Sequence, residues 1–191
     1  MAREASRQAP SVAAIVAMLP RTVALPDLRD VFLANEGYVL RSLRRLGVPE
    51  RDVEDVAHEV FLLVHARLSD LDPSRPIRPW LFAFCFRVAS NYRRKSARAP
   101  VQELEEILDE APSVSDKLED EERRLLVLEA LETLDLERRA VFVLHCLDDV
   151  PIPVVAETLS IPLGTAYTRL RAGKQAFTEA VRRLGKRRGL R

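Results

Sequence analysis

Glycine and cysteine are scarce in this 191-residue sequence, with six and two copies, and no apolar run is long enough to cross a bilayer. The missing runs exclude membrane insertion by a helix, the missing glycine period excludes a collagen-like fibre, and two cysteines exclude a disulfide scaffold. Few glycines beside 31% charged residues also argue against a strand-and-turn protein and for an all-α one. Cys85 and Cys146 both lie in apolar, helix-like stretches and read as reduced, buried small hydrophobes of a cytoplasmic protein. Arg3, Arg7 and the short apolar run Val12 to Leu19 imitate a signal peptide only loosely, because no cleavage site follows. Residues 1–25 read instead as an N-terminal arm or short extra helix.

Several chemistries are also missing. There is no P-loop, no G-x-G-x-x-G and no Cys/His cluster with zinc spacing. Asp55 and His58 have the D-x-x-H spacing of a carboxylate-bridged metal site, but such a bundle needs a second copy, which the sequence lacks. His65 and His145 read as core or boundary histidines. The expectation is therefore a binding protein without catalytic residues, metal or cofactor.

What is present is charge sorted by position. The formal net charge is only +1, yet residues 99–122 hold ten acids and one Lys, while 166–191 hold nine basic groups against Glu179 alone. Residues 87–98 add Arg87, Arg93, Arg94, Lys95 and Arg98 with no acid. Two basic ends separated by an acidic stretch imply two polyanion-binding modules on a tether. The boundaries are then 26–98 for the first domain, 99–122 for a flexible acidic linker, and 123–191 for the second domain with its basic tail.

In the first domain the spacing predicts helices over 27–46 and 50–68, the second with Val53, Val56, Ala57, Val60, Phe61, Val64 and Leu68 on a buried stripe. Asp55, His58, Glu59 and Leu62 share its other face. A proline-rich loop follows over 69–79, carrying Ser74, Arg75 and Arg78, and then a helix over 80–98 that Pro79 can start. The first half of that helix is apolar and its second half basic, so it is anchored at one end and offers donors to phosphates and bases at the other. In the second domain helices are expected over 118–133, 136–147 and 152–159, then a turn over 160–164 and a last helix over 165–184. Ala166, Leu170, Gly173 and Phe177 face its core, leaving Thr165, Thr168, Arg169, Arg171, Ala172, Lys174 and Gln175 outward. A short helix, a tight turn and a helix with that outer face is a helix-turn-helix arrangement, whose second helix fits the major groove.

These residues resemble the extracytoplasmic-function (ECF) group of bacterial RNA polymerase sigma factors. Asp55, Val56, Glu59, Val60, Phe61, the loop and Trp80, Leu81, Asn91 and Arg94 resemble the group's promoter-melting region. Leu134, Arg139, Val141, Phe142, Leu144, Ala156, Glu157, Leu159, Ile161, Gly164, Thr165, Arg169 and Leu170 resemble its helix-turn-helix region. The resemblance implies two small helical domains, a promoter-melting one of three or four helices and a helix-turn-helix one. It implies binding to core RNA polymerase, at its clamp helices and flap, and to promoter DNA, and it allows for an anti-sigma partner. Asp55, His58 and Glu59 would dock on the clamp helices. Ser74, Arg75, Arg78, Trp80, Arg87, Asn91 and Arg94 would capture the minus-10 non-template strand, and Thr165, Thr168, Arg169, Arg171 and Lys174 would read the minus-35 duplex.

The sequence departs from the group at His58, Ile77, Arg87, Asn91 and Ala172, the changes in the loop and the final helix implying an unusual promoter, and at Pro151 and Val154, which remove a capping box. The rival expectation is a stand-alone helix-turn-helix regulator, which would leave the basic helix and the acidic tether unexplained.

Overall fold

The computed structural model describes residues 27–97 and 115–188, and within them every regular element is helical. The N-terminal arm, most of the acidic linker and the last residues of the tail lie outside the described residues. Seven α-helices follow in order: α1 (Leu28–Arg45), α2 (Val53–Ala66), α3 (Ile77–Ser96), α4 (Ser115–Glu132), α5 (Leu136–Phe142), α6 (Ile152–Thr158) and α7 (Leu163–Arg187). Single 3-10 turns at Glu50–Asp52 and Leu68–Asp70 flank α2.

Helix α1 is capped at one end by the Asp27 side chain and carries Arg44 and Arg45 in its last turn, where cations suit the helix dipole. It stops because Gly47 takes a φ of 88°, letting Val48 N–H reach Leu43 C=O at 3.0 Å and Gly47 N–H reach Arg44 C=O at 2.9 Å. That double bond is a Schellman ending, and the left-handed position favours glycine. Helix α2 buries Val53, Val56, Ala57, Val60, Phe61 and Val64 of the stripe expected of it, while Leu68, past the end of the helix in the 3-10 turn, is half-buried. His65, expected at the core or its boundary, is exposed, because its position falls outside the 3.6-residue repeat of that stripe.

Helix α3 begins at Ile77, three residues earlier than expected, so Pro79 sits inside its first turn instead of ahead of it. A proline costs nothing there, since the first four N–H groups of a helix have no partner within it. Leu81, Phe82, Cys85, Val88 and Ala89 are buried, and Trp80, Phe84 and Phe86 are half-buried, so the apolar half is anchored along one side. Helix α4 starts at Ser115, inside the segment expected to be linker.

The expected helix over 136–147 is two pieces, α5 and a π turn at Val143–Leu147. Asp135 caps α5 by accepting from Arg138 N–H at 2.8 Å. Between α6 and α7 the chain turns at Ser160, whose φ is 53°; Ile161 N–H reaches Ala156 C=O at 2.9 Å and Ser160 N–H reaches Glu157 C=O at 3.0 Å. This is a second Schellman ending, made by a serine. Helix α7 then starts at Leu163, so Gly164 belongs to the helix and not to the turn.

The buried side chains of both halves form one continuous core, with a small satellite of Ala130, Ala180 and Leu184 where α4 meets the end of α7. The first half packs α1, α2 and α3 together and the second packs α7 on α4, α5 and α6. The halves themselves meet where α3 lies on α6 and α1 on α4. The sequence reading, which took the halves as tethered modules, contained no sign of this seam.

Candidate nucleic-acid interface

Helix α7 is set by its small residues. Ala166 and Gly173 are buried with Leu170, and a Cβ added at Gly173 would meet Leu134 Cδ2 at 3.4 Å and Arg138 C=O at 3.5 Å. The helix therefore lies close against α5 and turns its far side to solvent. Thr168, Arg171, Lys174 and Gln175 are exposed. Thr165, Arg169 and Ala172 are half-buried, which corrects the expectation that all seven face outward. At roughly 100° per residue, Arg169 falls about 60° from Ala166 and about 100° from Leu170, on the flank of the helix. Thr168 donates to Gly164 C=O at 2.9 Å, so its hydroxyl is partly engaged by its own helix.

Sequence reasoning missed Leu163 and Tyr167 on the same helix, 46% and 54% exposed. Leu163, Tyr167, Arg171 and Lys174 recur at four- and three-residue spacing, a signal that was available. Exposed apolar groups beside cations suit base edges, since the thymine methyl offers an apolar contact in the major groove.

The proline-rich loop is folded by its own polar groups. Asp72 accepts from Ser74 N–H at 2.9 Å and from Ser74 Oγ at 2.6 Å, and these bonds hold its carboxyl below the usual carboxylate range. Arg75 reaches across the seam and pairs through both terminal nitrogens with Glu157 of α6, at 2.7 and 2.5 Å. The hydrogen bonds from Arg75 lower the Glu157 carboxyl below its ordinary value. Arg78 stacks over the Tyr38 ring, 5.5 Å from its centroid, and Tyr38 donates to Asp148 at 2.9 Å. Asp148 also accepts from Arg45 at 2.8 Å, so one carboxylate of the second half ties down two side chains of α1. Burial, then Asp148, raises the Tyr38 hydroxyl well above its ordinary value, which keeps it a donor.

Along α3, Trp80 is half-buried and meets Phe84 edge-on at 4.8 Å, while Arg87 and Arg94 are exposed and Asn91 accepts from Arg94 at 2.5 Å. Arg87, Asn91 and Arg94 share a face at four- and three-residue spacing. Trp80 shares that face as well, whereas Arg78 points about 180° round the helix from Arg87, toward Tyr38. In the same half, Asp55, His58 and Glu59 are exposed on α2, and Leu62 on that helix is 59% exposed. The structure thus presents three separate patches: the α7 face, the loop with the α3 edge, and the α2 face.

Comparison with known proteins bears on both halves. Residues 124–177, from α4 into α7, match the family model "Sigma-70, region 4". The ECF RNA polymerase sigma-E factor of Escherichia coli K12 is 25% identical over 151 residues, covering 73% of this chain and 79% of that protein. Over those 151 residues the chain is similar to an RNA polymerase sigma factor of the ECF group. The sigma factor CnrH of Cupriavidus metallidurans is 43% identical over 51 residues, 26% of this chain and 27% of CnrH.

The fold of the chain is shared with two solved structures. CnrH in complex with the cytosolic domain of CnrY superposes with a TM-score of 0.55 at 22% identity, covering 80% of this chain and 85% of that one. The sigma factor RpoE of Bartonella quintana in complex with the anti-sigma factor NepR gives 0.62 at 14% identity, covering 82% and 97%. The α7 face lies within the matched segment, with α6 forming the first helix of its helix-turn-helix.

Proposed function

We propose that this chain is a sigma factor that directs promoter-specific initiation by bringing core RNA polymerase to two elements of one promoter. The observation that carries the reading is the α7 face: Thr168, Arg171 and Lys174 stand exposed on a helix whose other side is locked onto α5 through Ala166, Leu170 and Gly173. That helix enters the major groove of the minus-35 element, where Arg and Lys reach guanine edges or phosphates. Thr165 and Arg169 flank the contact. The loop, through Ser74, Arg75 and Arg78, and the α3 edge, through Trp80, Arg87, Asn91 and Arg94, hold the melted minus-10 non-template strand. Unpairing costs a few kcal/mol per base, which stacking and phosphate contacts on the captured strand offset. Asp55, His58 and Glu59 dock α2 on the clamp helices of the polymerase, and the second half docks on its flap. An anti-sigma factor is a further partner, as NepR is for RpoE. The chain supplies contacts and no chemistry of its own.

In the packed arrangement Arg75 is engaged by Glu157, so capture of the minus-10 strand requires that ion pair to be released. Run-off transcription with reconstituted core polymerase tests the reading. Promoter-dependent transcripts are expected with the native chain, and reversing charge at Asp55 and Glu59 should lower both transcript yield and copurification with core. Unchanged copurification would reject the α2 docking surface.

A further inference from the structure

The seam between the halves holds an open cavity of about 430 Å³ that none of the promoter or polymerase contacts uses. The turn after α1 contributes Gly47, the C-terminal half of α3 contributes Arg93 and Ser96, and the second half contributes Glu132 and Arg139, with Arg51 at the mouth. Arg139 is the largest fully buried side chain, 2% exposed, and its Nε has no hydrogen-bond partner. Among the described residues its one hydrogen bond is a long one, from Nη2 to Leu134 C=O at 3.3 Å. A buried guanidinium without a carboxylate is costly. Here it also faces a second cation: a Cβ placed on Gly47 would collide with Arg139 Nη1 and lie 3.1 Å from Arg93 Nη1, so both guanidiniums crowd the bare face of that glycine. Burial and the Arg93 charge push Arg139 down to about 10, against the opposing pull of Glu132 and Asp135.

Two forked donors thus converge on one cavity from opposite halves. Glu132, which also lines the cavity, is exposed, and among the described residues no ion pair joins it to Arg139. Arg51 is already paired with Asp52 at 3.3 Å, so Arg93 and Arg139 are the cations left to bind. Guanidinium forks match phosphate oxygens two at a time, and the cavity is large enough for a diphosphate or a small phosphorylated metabolite. We propose that this cavity binds a small phosphorylated anion of the pyrophosphate class, bridged between Arg93 of the first half and Arg139 of the second. Because the ligand touches both halves, it favours the packed arrangement over a separated one. The inference rests on the seam and not on the promoter reading.

The test is isothermal titration of the full chain with sodium pyrophosphate at low ionic strength. The expected result is saturable binding of one equivalent, weakened at least tenfold in Arg93→Gln and strengthened in Glu132→Gln. It should be unchanged in a double Arg182→Gln, Arg183→Gln variant at the exposed end of α7. Arg93 is half-buried, so its variant keeps the fold, and circular dichroism checks this. No binding by the native chain, equal binding by Arg93→Gln, or an equal loss in the α7 variant would overturn the proposal. So would a Glu132→Gln variant that melts earlier without binding more tightly, since Glu132 would then be the internal partner of Arg139. A short single-stranded oligonucleotide should fail to displace pyrophosphate at equal phosphate concentration. Displacement by it would assign the site to a nucleic-acid backbone and reject the small anion.

Discussion

At the scale of single residues, exposure separates Arg171 from Arg169. Arg171→Ala should weaken binding of the holoenzyme to its minus-35 duplex by about 1–3 kcal/mol and relax base preference there, whereas Arg169→Ala should cost less. Competition binding with minus-35 variants measures both. Asp148 makes the opposite kind of contribution, to stability. Its replacement by Ala leaves the buried Tyr38 hydroxyl without its acceptor and Arg45 without its partner. An orphaned buried donor costs about 1–3 kcal/mol, so urea unfolding should show a loss of that size. An unchanged midpoint would mean that the carboxylate is not a clasp between the halves.

Among the elements, the two Schellman endings separate what sequence patterns convey from what they omit. Gly47 announces the end of α1 because glycine is the residue that tolerates a positive φ. Ser160 makes the same turn without that signal, and this is why α7 was expected to start two residues late. A left-handed serine carries about 1 kcal/mol of strain, so Ser160→Gly should raise stability by up to about 0.5 kcal/mol, after the greater chain entropy of unfolded glycine is counted. Denaturant midpoints check it; destabilisation would mean that the serine side chain holds the turn. The stripe of α2 was legible because six apolar residues repeat at helical spacing over one uninterrupted run. The π turn after Phe142 was not, since the shift from four- to five-residue bonding leaves the apolar spacing of Val143 and Leu144 intact. Of the candidate site, Thr168, Arg171 and Lys174 were read correctly from the positions of Ala166, Leu170 and Gly173. The flanking placement of Arg169 depends on how α7 rolls against α5, which no local pattern records.

For the whole molecule, the seam was invisible because its partners are far apart in the chain: Tyr38 with Asp148, Arg75 with Glu157. Each of these residues is ordinary in its own helix or loop. The Arg75–Glu157 pair is exposed on both sides, at 51% and 59%, so its contribution is small and screened by salt. Since Arg75 lowers the Glu157 carboxyl, the pair's contribution to closure is complete above pH 4.5, the ordinary value of that group, and fades as pH falls through the lowered one. Glu157→Gln should therefore enlarge the radius of gyration at neutral pH, measured by small-angle scattering, and raise promoter opening a few-fold by freeing Arg75. No change in either would show that the apolar contacts of α3 with α6 hold the seam unaided.

The central claim is that one chain grips a promoter at two points only when carried by core polymerase. Footprinting combined with permanganate reactivity, on a promoter found by sequencing the transcripts of the reconstituted holoenzyme, tests it most directly. The account predicts protection of the minus-35 duplex together with reactive thymines near minus 10, both present with polymerase, and loss of thymine reactivity alone in an Arg75→Ala, Arg78→Ala variant. Strong protection by the isolated chain, with no reactive thymines when polymerase is added, would contradict it and make the protein a stand-alone duplex binder.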